Sequence, residues 1–189
     1  MDERERWESR HAADDQEKAP DPVVIEACKC VAVGGALDLA CGAGRNTLFL
    51  ARSGWSVVAV DYSSVALEKL RARAVCENLA VEIICADLNE WRLPVSAFDL
   101  ICNCRYLQRD LFPAVEMALK PGGAFAAFIA MDDDDPSVNP MRADYLLRPG
   151  ELPTLLPKLR VLHYSEAKSG PGKRRMAEFI AVRDLNDPG

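Results

Sequence analysis

The 189-residue sequence has no apolar run approaching the roughly 18 residues that a membrane-spanning helix needs. Its start, Met1-Asp-Glu-Arg-Glu-Arg, lacks the apolar stretch of a secretory signal. It also lacks excess positive charge: 23 Lys and Arg against 29 Asp and Glu leave a net charge of −6, which argues against a general nucleic-acid binder with a basic face. Histidine is scarce, with His11 and His163 alone, and none of the seven cysteines forms a C-x-x-C pair. Cys28 with Cys30 and Cys102 with Cys104 are C-x-C pairs, so no metal site is expected. The cysteines read as reduced thiols that act as small buried hydrophobes. These absences point to a cytoplasmic protein that works on small molecules, with neither nucleic acid nor membrane as partner, as a monomer or homodimer.

What is present is ordinary globular material, 49% apolar and 28% charged, long enough for one well-buried domain. Residues 1–20 are a charged lead, read as flexible or as a lid ordered by ligand, and residues 21–189 as a single domain. Pro22 suits the first turn of a helix over 23–33, closed by Gly34-Gly35. An apolar strand follows at 36–41, with the continuous hydrophobicity of a strand buried on both faces. The rhythm then alternates: helix 45–53, strand 56–61, helix from Ser63 or Ser64 to about Ala74, strand 81–86, strand 98–102, helix 110–119. Pro121-Gly122-Gly123 is expected to break the chain before strand 124–131. A short helix near 151–156 precedes strands 160–167 and 174–183, whose short connection makes them an antiparallel hairpin. The pattern is α/β, a parallel sheet built from βαβ units and ending in that hairpin.

The chemistry gathers at the first strand's end. Asp38-Leu-Ala-Cys-Gly42-Ala-Gly44-Arg-Asn-Thr47 leads into a helix, and two glycines there let backbone approach a nucleoside closely. Asp61, seventeen residues after Gly44, ends strand two, where a carboxylate can accept both ribose hydroxyl protons. A dinucleotide loop wants a third glycine where Thr47 stands. Asp38 would repel a pyrophosphate, yet it suits the amino group of an amino-acid-like ligand. Asp87, in Ala86-Asp87-Leu88 after strand three, can accept from an adenine amino group. Together these favour S-adenosylmethionine over a nicotinamide cofactor.

Leu37-Asp-Leu-Ala-Cys-Gly-Ala-Gly44 with Val60-Asp61 closely resembles the class I methyltransferases. The resemblance implies a Rossmann-like, doubly wound seven-stranded sheet with the last strand antiparallel. Gly44-Arg45-Asn46, Tyr106-Leu107-x-Arg109-x-Leu111-Phe112-Pro113, Ala130-Met131-Asp132 and Arg148-Pro149-Gly150-Glu151-Leu152 are similar to the tellurite-resistance branch. So is the N-terminal Trp7-x-x-Arg10, although His11 stands where that branch usually has Tyr. The resemblance implies S-adenosylmethionine contacts at Asp38, Gly42, Gly44, Asp61, Tyr62, Asp87 and residues 103–105. Their neighbours Ala40, Cys41, Arg45, Asn46, Ser63 and Leu88 complete the expected cofactor set with Asn103, Cys104, Arg105, Trp7 and Arg10. The sequence departs from that branch in the short 168–174 connection, which lacks its His-Arg pair, so the acceptor half of the site does not carry over.

Methyl transfer from a sulfonium needs chiefly that acceptor and methyl be held close and collinear. A thiolate, or a reduced selenium or tellurium oxyanion, needs no general base, and the sequence offers no evident one. Arg105, Tyr106 and Arg109, just after strand four, are the expected catalytic residues. Arg105 or Arg109 would steer an anionic acceptor, or else both arginines are solvated or paired at a helix start. The acids at 132–135 read as a solvated surface, Trp91 as core packing and His163 as structural. A cofactor-binding module without turnover and a nicotinamide oxidoreductase are the alternatives.

Overall fold

The computed structural model describes residues 8–9, 18–133, 135, 137–138, 140–168, 170 and 172–186. Helices α1 (Pro22–Ala27), α2 (Arg45–Arg52), α3 (Ser64–Cys76), α4 (Phe112–Ala118) and α5 (Glu151–Leu155) surround seven strands. These are β1 (Gly35–Leu39), β2 (Ser56–Asp61), β3 (Val81–Cys85), β4 (Phe98–Cys104), β5 (Leu119–Ala130), β6 (Leu159–Lys168) and β7 (Arg175–Arg183). They form one sheet in the order β3-β2-β1-β4-β5-β7-β6, with β7 antiparallel to both of its neighbours. This is the expected seven-stranded architecture. The strand order reverses between β1 and β4, and an open α/β sheet has its binding crevice at the carboxyl ends of such a pair.

Alternation along the strands sends side chains to two layers. Leu37, Leu39, Ile101, Phe125 and Phe179 pack with Phe112 and Val115 of α4 and Leu152 of α5. Leu100, Cys102, Ala124, Ala126 and Ile180 pack with Val23, Val24 and Ala27 of α1 and Leu50 of α2. Leu67, Leu70 and Ala74 of α3 close over Leu48 and Ala59. Burial on both faces explains why the strands read as continuous apolar runs. Among the described residues, no helix is long and apolar enough to cross a membrane.

Four local expectations change. The first helix stops at Ala27, short of residue 33, and Gly34 and Gly35 serve a different purpose. A Cβ on Gly34 would lie 2.2 Å from Asp99 Oδ2, the atom that accepts the Gly35 N–H at 2.8 Å and pairs with Lys120 at 2.7 Å. Pro121-Gly122-Gly123 does not precede β5 but lies within it as a bulge. Phe98 pairs with Leu119, the next pair is Leu100 with Ala124, and Gly122 takes a left-handed φ of +81°. The helix expected over 110–119 begins as a 3₁₀ turn at Arg109–Leu111 and is α-helical only over α4. The acidic loop is also less solvated than expected: Lys168 reaches Asp133 at 2.9 Å and Asp135 at 2.8 Å, tying the chain after β5 to the end of β6.

Candidate functional site

The bend between β1 and α2 is left-handed at three residues, Ala40 (φ +51°), Gly42 (φ +56°) and Gly44 (φ +86°). Gly44 has a second constraint, since a Cβ there would lie 2.3 Å from Leu70 Cδ1. The loop is pinned to β2 by the Cys41 N–H on Val60 O (3.1 Å) and the Gly42 N–H on Asp61 Oδ2 (2.8 Å). Asp61 Oδ1 accepts the Ser63 N–H at 2.8 Å, and Ser63 in turn caps α3 by accepting from Ala66 N. One buried carboxylate thus joins the glycine loop to the start of α3. Tyr62 lies between these two anchors.

Asp38 sits on β1 behind the loop, buried, and accepts from Thr47 Oγ1 at 2.6 Å. Burial pushes its carboxyl up to about 7, opposed by the Thr47 hydrogen bonds and reinforced by the negative charges of Asp21 and Asp61. A buried acid this reluctant to ionise is one that a cationic group would stabilise as carboxylate. Cys41 and Cys104 are buried and their thiols are raised well above the ordinary range, first by burial, so neither is a thiolate nucleophile.

β4 ends in Asn103 and Cys104, and Arg105 follows it. The Asn103 side chain is fully buried, and among the described residues neither its Oδ1 nor its Nδ2 has a hydrogen-bond partner. A donor–acceptor amide in that state is costly unless something else satisfies it. Its position, level with Leu39 on β1, places it at the strand reversal. Arg105 is a non-glycine residue at φ +63°, and its guanidinium lies 4.9 Å over the Phe128 ring. Its Nη1 donates to Asp21 Oδ2 at 2.5 Å.

Asp21, just before Pro22, carries no motif that marks it in the sequence. The structure puts it in the N-cap position of α1, but its side chain makes no cap hydrogen bond. Its carboxylate instead accepts from Arg105 and from Asn46 Nδ2 (3.2 Å) and faces Arg45 at 3.8 Å, while its own N–H donates to Asn46 Oδ1 at 2.9 Å.

Other expected residues have contacts of their own, and the Ala86 N–H donates to Asp61 O at 3.0 Å, which brings the end of β3 to the end of β2. Asp87 follows edge strand β3, exposed, with Oδ1 accepting from the N–H and side-chain amide of Asn89; Leu88 beside it is buried. Tyr106 donates its hydroxyl to Gln108. Arg109 is taken up by Glu151 through Nε (2.6 Å) and Nη2 (2.9 Å), with further bonds to the carbonyls of Leu146 and Asp144. The two motifs Tyr106–Pro113 and Arg148–Leu152 therefore meet as a structural clamp, and Arg109 does not join Arg105. Trp7 and Arg10 lie outside the described residues.

Asp38 offers a carboxylate for an ammonium, Asp61 a carboxylate beside the glycine bend, and Asn103 an unsatisfied amide, around backbone with no Cβ at Gly42 and Gly44. The residues fit a nucleoside carrying an amino acid.

Comparison with known proteins agrees. Residues 36–123 match the family model of a methyltransferase domain. The probable S-adenosyl-L-methionine-dependent methyltransferase TehB of Haemophilus influenzae strain Rd is 27% identical over 150 residues, 76% of this chain and 52% of that protein. Hemagglutinin 1 of Eikenella corrodens is 31% identical over 151 residues, 76% of this chain and 50% of that one. The chain spans about half the length of these relatives. The crystal structure of H. influenzae TehB shares the fold, with a TM-score of 0.73 at 24% identity over 85% of this chain and 61% of that one. The glycine bend, the acid ending β2 and the sheet order thus belong together: residues 36–123 are similar to a methyltransferase domain, and the chain resembles the TehB proteins, which are named probable S-adenosyl-L-methionine-dependent methyltransferases.

Proposed function

We propose that the protein transfers the methyl group of S-adenosylmethionine to a small, soft, anionic acceptor such as a thiolate or a reduced chalcogen oxyanion. The observation that supports the donor half is the set Asp38, Asp61 and Asn103, two buried carboxylates and an unpartnered amide around the left-handed glycine bend. Bound there, the cofactor supplies a sulfonium methyl already activated for in-line displacement. Asp38 holds the ammonium of the amino-acid portion, Asp61 accepts from the ribose hydroxyls, and Asp87 is the acceptor for the adenine amino group. Ala40, Cys41, Arg45, Asn46, Tyr62, Ser63 and Leu88 wall the pocket, and Cys104 backs it as a neutral thiol. The lead of residues 1–20, which carries Trp7 and Arg10, is proposed to serve as a lid whose closing would exclude water.

Arg105 is the group that meets the acceptor. Its anchored, half-exposed guanidinium sits at the end of β4, offsets negative charge and orients a nucleophile that arrives already deprotonated. Arg109 is not assigned that task, because Glu151 and two carbonyls engage it. Arg105→Ala should raise the KM for such an acceptor about tenfold and leave S-adenosylhomocysteine affinity within twofold; equal loss of both would remove the acceptor role.

A further inference from the structure

We infer that Asp21 is a positioning residue: it fixes the Arg105 guanidinium at the site entrance and so sets the site's affinity for small anions. This inference rests on Arg105 being the acceptor-facing group.

The first ground is where the carboxylate points. An aspartate at an N-cap has a ready local role in accepting from the first turn of its own helix. Asp21 stands in that position before Pro22, yet its side chain leaves α1 uncapped. Both oxygens face across to other elements, Oδ2 to Arg105 and Asn46, Oδ1 to Arg45. The second ground is contrast in burial. The Asp21 side chain is 2% exposed, while that of Arg105 is 44% exposed. A buried acceptor therefore grips a guanidinium that is itself half-exposed. Asn46 secures the grip reciprocally, accepting from the Asp21 N–H and donating to its carboxylate.

The third ground is the backbone. Arg105 adopts φ +63°, a conformation that costs a residue with a side chain and persists only where its surroundings fix it. The Asp21 bond and the Phe128 ring, 4.9 Å beneath the guanidinium, fix it from two sides. An arginine free at its Cζ end would spread over many rotamers and present its remaining N–H groups to an anion only part of the time. Held by Asp21, it presents them always.

Charge alone says that removing a carboxylate beside an anion site tightens anion binding. Positioning says that it weakens. Sulfite and selenite serve as probes, titrated calorimetrically into the full chain saturated with S-adenosylhomocysteine. Asp21→Ala should weaken both about tenfold and Asp21→Asn less, since its amide oxygen still accepts from Arg105, while S-adenosylhomocysteine affinity falls by much less than probe affinity. Unchanged or tighter probe binding in Asp21→Ala, with Arg105→Ala weakening it, would overturn the positioning role alone. Silence of Arg105→Ala, or no probe binding by the wild type, would overturn the acceptor reading and this inference with it. A parallel loss of S-adenosylhomocysteine affinity in both Asp21 variants would reduce Asp21 to a structural residue and also contradict the inference.

Discussion

A carboxyl group held half-titrated at neutral pH makes Asp38 a reporter on what enters the site. Its folded-state value of about 7 lies above the ordinary 3.8, so the folded protein keeps a proton that the unfolded chain releases between about pH 4 and 7. Below that window both states are protonated and Asp38 costs nothing; as pH rises through it, the ligand-free protein loses stability, on the order of a few kcal/mol for this group. Measured against Asp38→Asn, wild-type unfolding free energy should fall across that window, and a pH-independent difference would contradict the assignment. An ammonium brought next to Asp38 favours the carboxylate. S-adenosylhomocysteine binding near pH 6.5 should therefore release a proton, seen calorimetrically as a dependence on buffer ionisation enthalpy that Asp38→Asn abolishes. Asp61 has two duties, and Asp61→Ala should weaken the same ligand by about 1–3 kcal/mol. Unchanged affinity would detach Asp61 from the ribose. Both acids were legible in the sequence because their types and spacing carry their chemistry. Asp21 was not, because its role depends on a side-chain direction that spacing does not encode.

At the scale of elements, the loop between β1 and α2 and the clamp after β4 do different work. Gly44→Ala would place a methyl group 2.3 Å from Leu70 at a left-handed φ, so strain and steric conflict arise together where α2 meets α3. A loss of about 2–4 kcal/mol in denaturant unfolding is expected, and a change below 0.5 kcal/mol would show that the loop relaxes freely. Arg109 and Glu151 should couple by about 1 kcal/mol in a double-mutant cycle on stability, with S-adenosylhomocysteine affinity unmoved. Coupling seen in turnover but not in stability would return Arg109 to the site. Helices and strands buried on both faces announced themselves through apolar runs, whereas their ends did not. Gly34-Gly35 looked like a helix stop, yet Gly34 makes room for the Asp99 carboxylate from β4. Pro121-Gly122-Gly123 looked like a strand boundary, yet β5 pairs on both sides of it. Tertiary partners decided each case, and local sequence carries no mark of them.

Across the whole molecule, topology places the acids ending β1 and β2 beside the amide ending β4, because the sheet reverses its order between β1 and β4. Motif order along the chain made that juxtaposition legible before any contact was known. The partner of Arg105 and the fate of Arg109 required the folded chain. The lead remains a proposal about the molecule as a unit: removing residues 1–18 leaves Asp21 in place and should give a folded protein with turnover reduced at least tenfold. Full activity in the truncated protein would make the lead a tail. The most direct measurement is transfer of isotopically labelled methyl from S-adenosylmethionine to a panel of small thiols, selenite-derived and tellurite-derived anions, alcohols and amines. Label on a thiolate or chalcogen anion, with stoichiometric S-adenosylhomocysteine and strong dependence on Arg105, is the expected result; label only on a neutral alcohol or amine, or none on any acceptor, would contradict it.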